Sequence, residues 1–235
     1  MWDKVKNDPR NALFYNFVSF VNYFKPKVFV MENVKGILSN KNGNVIKTII
    51  KSFEEINYNV ETPRILNAKY FNVPQKRERV FIIGSLKNID IIWPRPSNNE
   101  ITVDMAISDL EVYEGKNDDF DIEYKLEPQS KYQEDLRISS KYLCNHEPRM
   151  PAKTTQDKIS HVPQGGNWKN IPEELFPRNR NNRHSSAFKR LQKNKPSITI
   201  DTGNAHSNYF HPLYNRIPTV REAARIQSFP DNFVF

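Results

Sequence analysis

The 235-residue chain has very little cysteine and no long hydrophobic run. Its single cysteine, Cys144, rules out an intramolecular disulfide and fits a reducing compartment. No apolar stretch approaches the roughly 20 residues that a membrane helix needs, and the first residues lack the apolar core of a signal peptide. We therefore expect a cytoplasmic protein with no membrane partner.

Glycine is also scarce, and its placement is informative. The chain has 7 glycines, and none of them stands in a Gly-x-Gly arrangement. A tight turn that cradles a cofactor after a first strand needs such glycines, because the backbone must approach the ligand closely. The 5 histidines show no metal-ligand spacing. The sequence therefore predicts neither a cofactor loop nor a metal site in this chain.

Basic residues are in excess. There are 35 Lys and Arg against 27 Asp and Glu, which gives a net charge of +8 and a pI near 9.4. A balance of this size fits a polyanionic partner such as DNA, although a generic basic soluble protein would show it too.

The first third of the chain predicts an α/β sheet domain, or half of one. Residues 11–24 have the apolar spacing of a helix with a broad buried face, and residues 27–31 form a continuous apolar run of strand length. Such runs are typical of a parallel strand buried on both faces. A second helical pattern begins at residues 42–43, and residues 60–68 and 80–84 indicate two further strands.

The character of the chain changes near Trp93. Prolines and asparagines mark a break there, and the stretch that follows has weak periodicity and many polar residues. We predict three segments: a sheet domain over residues 1–92, a loop-rich small domain over 93–195, and a return segment over 196–235. Near the end, Thr219 and Glu222 have the spacing of a helix N-cap and its capping-box partner.

Glu32 is the first candidate site residue. It lies at the carboxyl end of the apolar run, where ligands bind in open α/β sheets. We expect its carboxyl group to be desolvated and able to hold or donate a proton near neutral pH. A salt-bridged or helix-capping glutamate is the structural alternative.

Gln75, Arg77 and Arg79 alternate with a period of two. In an extended segment these three would share one face, while Lys76, Glu78 and Val80 would share the other. Two guanidinium groups and an amide can hydrogen-bond oxygen atoms in a bidentate manner. An ion-paired sheet face is the alternative interpretation.

A polar, basic segment near residue 180 is the candidate recognition element. Arg178, Arg180 and Arg183 alternate there with asparagines, and such loops suit phosphate and base-edge contacts as well as plain solvation. Gly165 and Gly166 would let the backbone approach DNA, or would simply form a turn.

Three separated motifs together resemble the C-terminal part of a DNA cytosine-5 methyltransferase of the restriction-modification type. They are Met31-Glu32-Asn33-Val34, residues 73–84 and residues 221–231, in that order. The resemblance implies part of a Rossmann-like, S-adenosylmethionine-dependent sheet and a small target-recognition domain that binds double-stranded DNA.

The resemblance also implies a role for each matching residue. Glu32 matches the glutamate that contacts N3 and the exocyclic amine of a flipped cytosine, and Arg79 matches the arginine at the cytosine O2. The catalytic loop and the base pocket are supported by Arg77, Gln75, Asn33 and Val34. A structural motif that braces the recognition domain comprises Arg216, Thr219, Arg221, Glu222 and Arg225, whose charges we expect to be ion-paired.

Two family segments have no counterpart in this sequence: the glycine-rich cofactor loop and the Pro-Cys nucleophile. Cys144 lies in the variable region without a preceding proline, and we interpret it as structural rather than as a dyad with His146. We therefore expect a chain that is inactive and poorly stable alone and needs a complementing N-terminal methyltransferase chain. A remnant that only binds DNA, or an RNA-directed relative, is the alternative.

Overall fold

The structure is a computed structural model that describes residues 13–86, 89–110, 123–175, 187–200 and 209–235. The chain divides into two units. One comprises the part up to Asn67 together with Glu78–Arg95, and the other comprises Ala68–Arg77 together with Pro96–Phe235. The functional assignment of the three predicted segments stays a prediction.

Two helices and four strands make up the first unit. Two 3₁₀ turns, Lys35–Leu38 and Asn40–Gly43, connect the first strand to the second helix. The elements are α1 (Leu13–Phe24), β1 (Val28–Val34), α2 (Asn44–Glu54), β2 (Tyr58–Val60), β3 (Arg64–Asn67) and β4 (Glu78–Leu86). The predicted helices and the strand around residue 82 are thus confirmed.

The sheet of the first unit is built around β4. Its order is β1-β4-β2, and β3 also pairs with β4. All three of these pairings are antiparallel, so the prediction of a parallel β1 buried on both faces is wrong. The chain reverses direction between β3 and β4, and β1 therefore meets a strand that runs against it. Burial along β1 alternates, with Phe29 buried and Val28 and Val30 exposed.

The predicted strand over residues 60–68 is two short strands. Both pair with β4, at its two ends, and Pro63 lies between them. Proline has no amide hydrogen and cannot donate to a ladder, so the strand is interrupted there.

Aromatic packing fills the core of the first unit. The rings of Phe29 and Phe53 stack with centroids 4.0 Å apart, beside Val80 and Ile82 of β4. Phe29 pairs across the ladder with Gly84, and its ring fills the space that a side chain at Gly84 would need, since a Cβ there would lie 2.2 Å from the ring.

Helix α1 covers this core with a narrower face than its sequence suggests. Val21 is its one fully buried residue, whereas Phe20 and Phe24 are exposed. The buried face is therefore narrower than predicted: Phe14, Phe17 and Val18 are partly buried beside Val21, and the other apolar residues of the helix are exposed.

Short helices and long connections make up the second unit. Thr102 and Ser130 each accept a hydrogen bond from the first turn of a helix, and such caps help helices this short to form. The helices and strands are α3 (Val103–Ile107), α4 (Lys131–Arg137), α5 (Lys153–Ser160), β5 (Lys189–Arg190), β6 (Tyr209–Phe210) and α6 (Val220–Ile226), and the 3₁₀ turns are Ala68–Phe71, Trp168–Asn170 and Glu173–Leu175. Strands β5 and β6 pair in parallel.

Two apolar clusters form the core of this unit, one around Val103 and Ile226 and one around Ile159 and Phe210. Within the described ranges, no helix is long and apolar enough to cross a membrane.

Candidate functional site

The first unit brings Glu32 and Arg79 together. Glu32 lies near the end of β1 and Arg79 near the start of β4, and the register places Val34 opposite Arg79 and Glu32 opposite Phe81. Both side chains therefore project from the same face of the sheet, away from the Phe29–Phe53 core. The Arg79 Nε lies 3.0 Å from the Glu32 Oε1, and the Arg79 Nη1 donates to the carbonyl oxygen of Glu78 at 2.8 Å.

This ion pair is open to solvent. The Glu32 side chain is 44% exposed and that of Arg79 is 20% exposed. The prediction of a desolvated carboxyl group at Glu32 is therefore wrong, because no element of the first unit covers this face of β1 at the described residues. An exposed ion pair contributes little to stability, so both groups can exchange partners with a ligand at small cost.

A second ion pair ties the same strand ends together. The Lys35 Nζ, in the 3₁₀ turn that directly follows β1, lies 3.0 Å from the Glu78 Oε2 at the start of β4. Sequence reasoning missed Lys35, and it placed Glu78 only on the opposite face from Arg79. The pairing could have been found from the register, had the antiparallel arrangement of β1 and β4 been known.

Of the two residues after Glu32, Val34 lies on the same face of β1 as Glu32, directly opposite Arg79, whereas Asn33 does not. Asn33 alternates to the other face of β1, where it lines an apolar pocket of about 440 Å³ with Phe17 and Ile37. Its side-chain oxygen accepts a hydrogen bond from the Val34 amide at 2.8 Å, which closes the end of the strand. The structure thus separates Asn33 from the Glu32–Arg79 face, and Val34 is exposed.

Gln75 and Arg77 belong to the second unit. Gln75 is 1% exposed, forms a parallel bridge with Ser197, and accepts a hydrogen bond from the Ile200 amide on its side-chain oxygen. Gln75 therefore holds residues 197–200 against the segment that precedes β4. Arg77 is half-buried, and its carbonyl oxygen accepts from the Ala68 amide. Strand β4 begins only at Glu78, so of Gln75, Arg77 and Arg79, which we predicted to share one face of an extended segment, only Arg79 lies in the strand.

The motif at the start of α6 is a buried charge cluster. Thr219 and Glu222 form the capping box that the sequence predicts. Arg216 binds both carboxylate oxygens of Glu222, at 2.7 and 2.8 Å, and both residues are at most 1% exposed. Burial raises the pKa of Glu222, but the hydrogen bonds from Arg216 and the charge of His211 outweigh it and lower the pKa to about 2.

His211 completes this cluster. Its Nε2 lies 3.6 Å from the Glu222 Oε1, and its Nδ1 accepts hydrogen bonds from the amides of Leu213 and Tyr214. Burial lowers the pKa of His211 to about 4 even though the charge of Glu222 opposes this. The imidazole is therefore neutral at pH 7.

Arg225 and Arg221 organise a second buried cluster. Arg225 binds Asp231 through two hydrogen bonds, at 2.9 and 2.5 Å, and also binds Asp109. Burial lowers the pKa of Arg225, but the bonds to Asp231 and the charges of both aspartates outweigh it and raise the pKa. Arg221 donates to the carbonyl oxygens of Cys144, Pro230 and Phe233. Nothing in the local sequence around Asp109 could have identified it as a partner of Arg225.

Gly165 and Gly166 form a turn in the second unit. Gly166 donates to the Pro163 carbonyl, and Gly165 has a φ of +80°, as at the third position of a type II turn. A Cβ at Gly165 would lie 2.0 Å from the side chain of Gln192. Arg178, Arg180 and Arg183 lie outside the described residues.

The remaining predictions for this unit concern His146 and metal binding. The His146 Nδ1 lies 2.9 Å from the Thr219 hydroxyl oxygen, so this buried histidine supports the capping box. Over the ranges that the structure describes, no group of three or more His, Cys, Asp or Glu residues could hold a metal ion.

Comparison with known proteins gives one consistent result. The sequence profile described as C-5 cytosine-specific DNA methylase matches residues 3–235. The type II methyltransferase M.DdeI of Desulfomicrobium norvegicum is 39% identical over 98% of this chain and 59% of its own length. M1.HphI of Haemophilus parahaemolyticus is 36% identical over 97% of this chain and 54% of its own length. The chain thus spans between half and three fifths of the length of these two relatives.

Solved structures show the same fold. A prophage-encoded protein of Escherichia coli, described as a DNA modification methyltransferase, superposes with a TM-score of 0.69 at 23% identity. That alignment covers 95% of this chain and 65% of the other. The Entamoeba histolytica methyltransferase EhMeth gives a TM-score of 0.55 at 13% identity, over 97% of this chain and 59% of the other.

Proposed function

Because the chain belongs to the C-5 cytosine-specific DNA methylase family, we propose that it forms the base-binding and DNA-recognition part of a cytosine-5 methyltransferase of a restriction-modification system. The observation that carries this proposal is the Glu32–Arg79 pair, a carboxylate and a guanidinium held 3.0 Å apart on an open sheet face. Duplex DNA is the proposed substrate, and the net charge of +8 favours its approach.

Glu32 and Arg79 match the hydrogen-bonding edge of cytosine. That edge presents an exocyclic amine as donor and N3 and O2 as acceptors, and it is accessible only when the base leaves the duplex. The Glu32 carboxyl group can accept from the amine and, when protonated, donate to N3, while Arg79 donates to O2. Placing a proton at N3 draws electrons from the ring and makes carbon 6 easier for a thiolate to attack.

The methyl donor of this reaction is S-adenosylmethionine, which supplies the methyl group when bound. We propose that this chain holds only part of its site. The sequence has no Gly-x-Gly arrangement to cradle a ligand, and the space beside Gly84 and Gly165 is filled by the ring of Phe29 and the side chain of Gln192. We therefore assign the rest of the cofactor site and the cysteine nucleophile to the part of the relatives' length that this chain does not span, on the same polypeptide or on a complementing chain.

Methyl transfer to duplex DNA tests this function. The chain would be produced alone and together with the segment of M.DdeI that it does not match, here named the complementing segment, with radiolabelled S-adenosylmethionine as methyl donor. We expect label in cytosine only in the combined sample. Glu32→Gln and Arg79→Ala should each lower the rate at least a hundredfold, whereas Lys51→Ala, on the exposed face of α2, should leave it unchanged. No transfer in the combined sample, despite complex formation, would contradict the proposal.

A non-catalytic protein that only binds DNA is the second candidate. The net charge of +8 and a pI near 9.4 favour it, since neither depends on a cofactor. We propose that Arg178, Arg180, Arg183 and the turn at Gly165 and Gly166 contribute to this binding in either case. Each phosphate contact contributes about −0.9 to the slope of log affinity against log salt, so replacing the three arginines by alanine should flatten the slope measured by gel shift. Salt-dependent binding without methyl transfer in the combined sample would select this candidate.

A further inference from the structure

Three lysines of the second unit lie around one carboxylate. They are Lys69, Lys76 and Lys195, and the carboxylate is that of Glu100. Lys69 forms an ion pair with Glu100, and its Nζ also lies 4.4 Å from the centre of the Tyr70 ring. The hydrogen bond from Lys69 lowers the pKa of Glu100 against the effect of desolvation, and the charges of Lys195 and Lys76 lower it further. The cluster therefore holds three positive charges against one negative charge.

Backbone hydrogen bonds bring these charged residues together from distant parts of the chain. The Lys76 amide donates to the Ser197 carbonyl oxygen at 2.7 Å, which joins the segment of Lys76 to the segment of Lys195. A backbone hydrogen bond also joins the turn that carries Lys69 to the segment that carries Glu100. The lysines therefore meet through the tertiary structure, and their backbone positions are set before any ligand binds.

The cluster is open to solvent. Lys76 and Lys195 are exposed, and the side chain of Glu100 is 40% exposed. Among the residues that the structure describes, no carboxylate forms an ion pair with Lys76 or Lys195. An ion pair at an exposed site contributes little to stability, so another anion can displace Glu100 from Lys69 at small cost.

We propose that Lys69, Lys76 and Lys195 bind the phosphate backbone of duplex DNA, and that Glu100 occupies part of this site until a phosphate displaces it. This inference rests on the proposed function, which supplies the DNA. A phosphate group has several acceptor oxygens and forms strong, charge-assisted hydrogen bonds with ammonium groups. The carboxylate among the three lysines marks where such an anion lies. Phosphates are the same in every base sequence, so the site positions the second unit on the duplex without reading it.

Glu100 gives the proposal its most specific consequence. In the free chain its carboxylate competes with DNA for the ammonium group of Lys69. Removing this carboxylate should therefore strengthen binding to DNA by more than the loss of an ordinary surface charge does. The gain should vanish when Lys69 is replaced as well, because no ammonium group is then released.

The salt dependence of DNA binding by the full chain tests the three lysines. Fluorescence anisotropy of a short labelled duplex gives the affinity at several salt concentrations. Lys76→Gln and Lys195→Gln should each flatten the slope of log affinity against log salt by about 0.9, which corresponds to about eightfold weaker binding at 0.1 M salt. Both variants should weaken binding to an A·T-rich and a G·C-rich duplex equally. Lys51→Gln, at an exposed ion pair of α2, is the matched control and should leave the slope unchanged.

A second set of variants tests the competition. Glu100→Gln should bind the duplex at least threefold more tightly, and the double variant Lys69→Gln/Glu100→Gln should lose this gain. Glu55→Gln removes the carboxylate of the exposed α2 pair and is the control for the change in net charge. Sodium phosphate that replaces chloride at equal ionic strength should not weaken binding, because the site is built for the backbone of DNA. Circular dichroism spectra that match the unsubstituted chain will show that the variants fold.

Four results would overturn the inference: no binding of duplex DNA, unchanged salt slopes in Lys76→Gln and Lys195→Gln, a loss confined to one base composition, or a gain in Glu100→Gln no larger than in Glu55→Gln. Strong competition by sodium phosphate would also overturn it, since free phosphate would then be the ligand. Binding is measured without a methyl donor. Flattened slopes without methyl transfer in the combined sample therefore refute the proposed methyltransferase function alone, and methyl transfer with unchanged slopes refutes this inference alone.

Discussion

Removing Arg216 should destabilise the second unit strongly, because it would leave a charge without its partner in the interior. Arg216 binds both oxygens of the Glu222 carboxylate, and neither residue is more than 1% exposed. Breaking a buried ion pair by removing one partner costs about 3–5 kcal/mol. We expect Arg216→Met to lower the free energy of opening of α6 by that amount at pH 7.

A double variant separates the unpaired charge from the lost packing. Arg216→Met combined with Glu222→Gln removes both charges of this pair, and the glutamine can still accept the hydrogen bond from the Thr219 amide. We therefore expect the double variant to be more stable than the single one, by about 1–3 kcal/mol, because it has no uncompensated charge to desolvate. Lys153→Met, which breaks an exposed pair with Asp157, is the surface control and should change nothing measurable.

The assay is native-state hydrogen exchange in urea, read from peptides within residues 209–235. Lowering the pH to about 5 should partly rescue the single variant, because burial raises the pKa of Glu222 once Arg216 no longer opposes it, and the carboxyl group can then take up a proton. A loss below about 1 kcal/mol in Arg216→Met, or a double variant less stable than the single one, would refute the reasoning.

Three further predictions concern stability. Burial lowers the pKa of His211 to about 4, so below about pH 6.5 the unfolded chain binds a proton that the folded chain does not. The free energy of unfolding should therefore fall as the pH drops from about 6.5 towards 4, by up to about 3 kcal/mol. Urea titrations at each pH measure this loss. The lowered pKa of Glu222, about 2, should add a further loss below about pH 4.5. A flat profile between pH 7 and 4 would contradict the shift of His211, and a flat profile between about pH 4.5 and 2 would contradict the shift of Glu222. Gly84→Ala should cost about 1–3 kcal/mol in thermal unfolding, because the new methyl group collides with the ring of Phe29, which Phe53 holds in place; an unchanged midpoint would show that the ring can move. Gly165→Ala should destabilise the turn, because residue 165 has a φ of +80° and the new methyl group would displace Gln192. We expect faster hydrogen exchange at residues 187–193. A weaker affinity for DNA with unchanged exchange would instead favour a direct contact between Gly165 and DNA.

The spacing of apolar and capping residues along the chain predicted both helices of the first unit and the start of α6. The 3.6-residue spacing of Ile46, Ile49 and Phe53 predicts α2, and all three residues are buried. Thr219 and Glu222 predict the start of α6 because a capping box depends only on residues three apart. These features are set by the short-range geometry of the backbone, which sequence reports directly.

The direction of β1 and the environment of Glu32 could not be read in this way. A run of apolar residues is compatible with a parallel strand buried on both faces and with an antiparallel strand at an edge, and only the pairing with β4 decides between them. The exposure of Glu32 follows from that pairing, because it determines which face of β1 is left open. Asp109 and Arg225 are more than a hundred residues apart, and nothing local relates them.

The sequence by itself determined the family, the helices and most strands of the first unit, the start of α6, and the residues from which the proposed base-binding site is built. Three motifs in a fixed order suffice for that, because each motif encodes its own local structure and chemistry. The tertiary structure decided how these residues meet: that Glu32 faces Arg79 across an antiparallel ladder, that Gln75 is buried against residues 197–200, and that the charges around α6 neutralise one another out of contact with water. Burial and pairing are properties of the assembled layers, and the chain acquires them only when distant segments pack together.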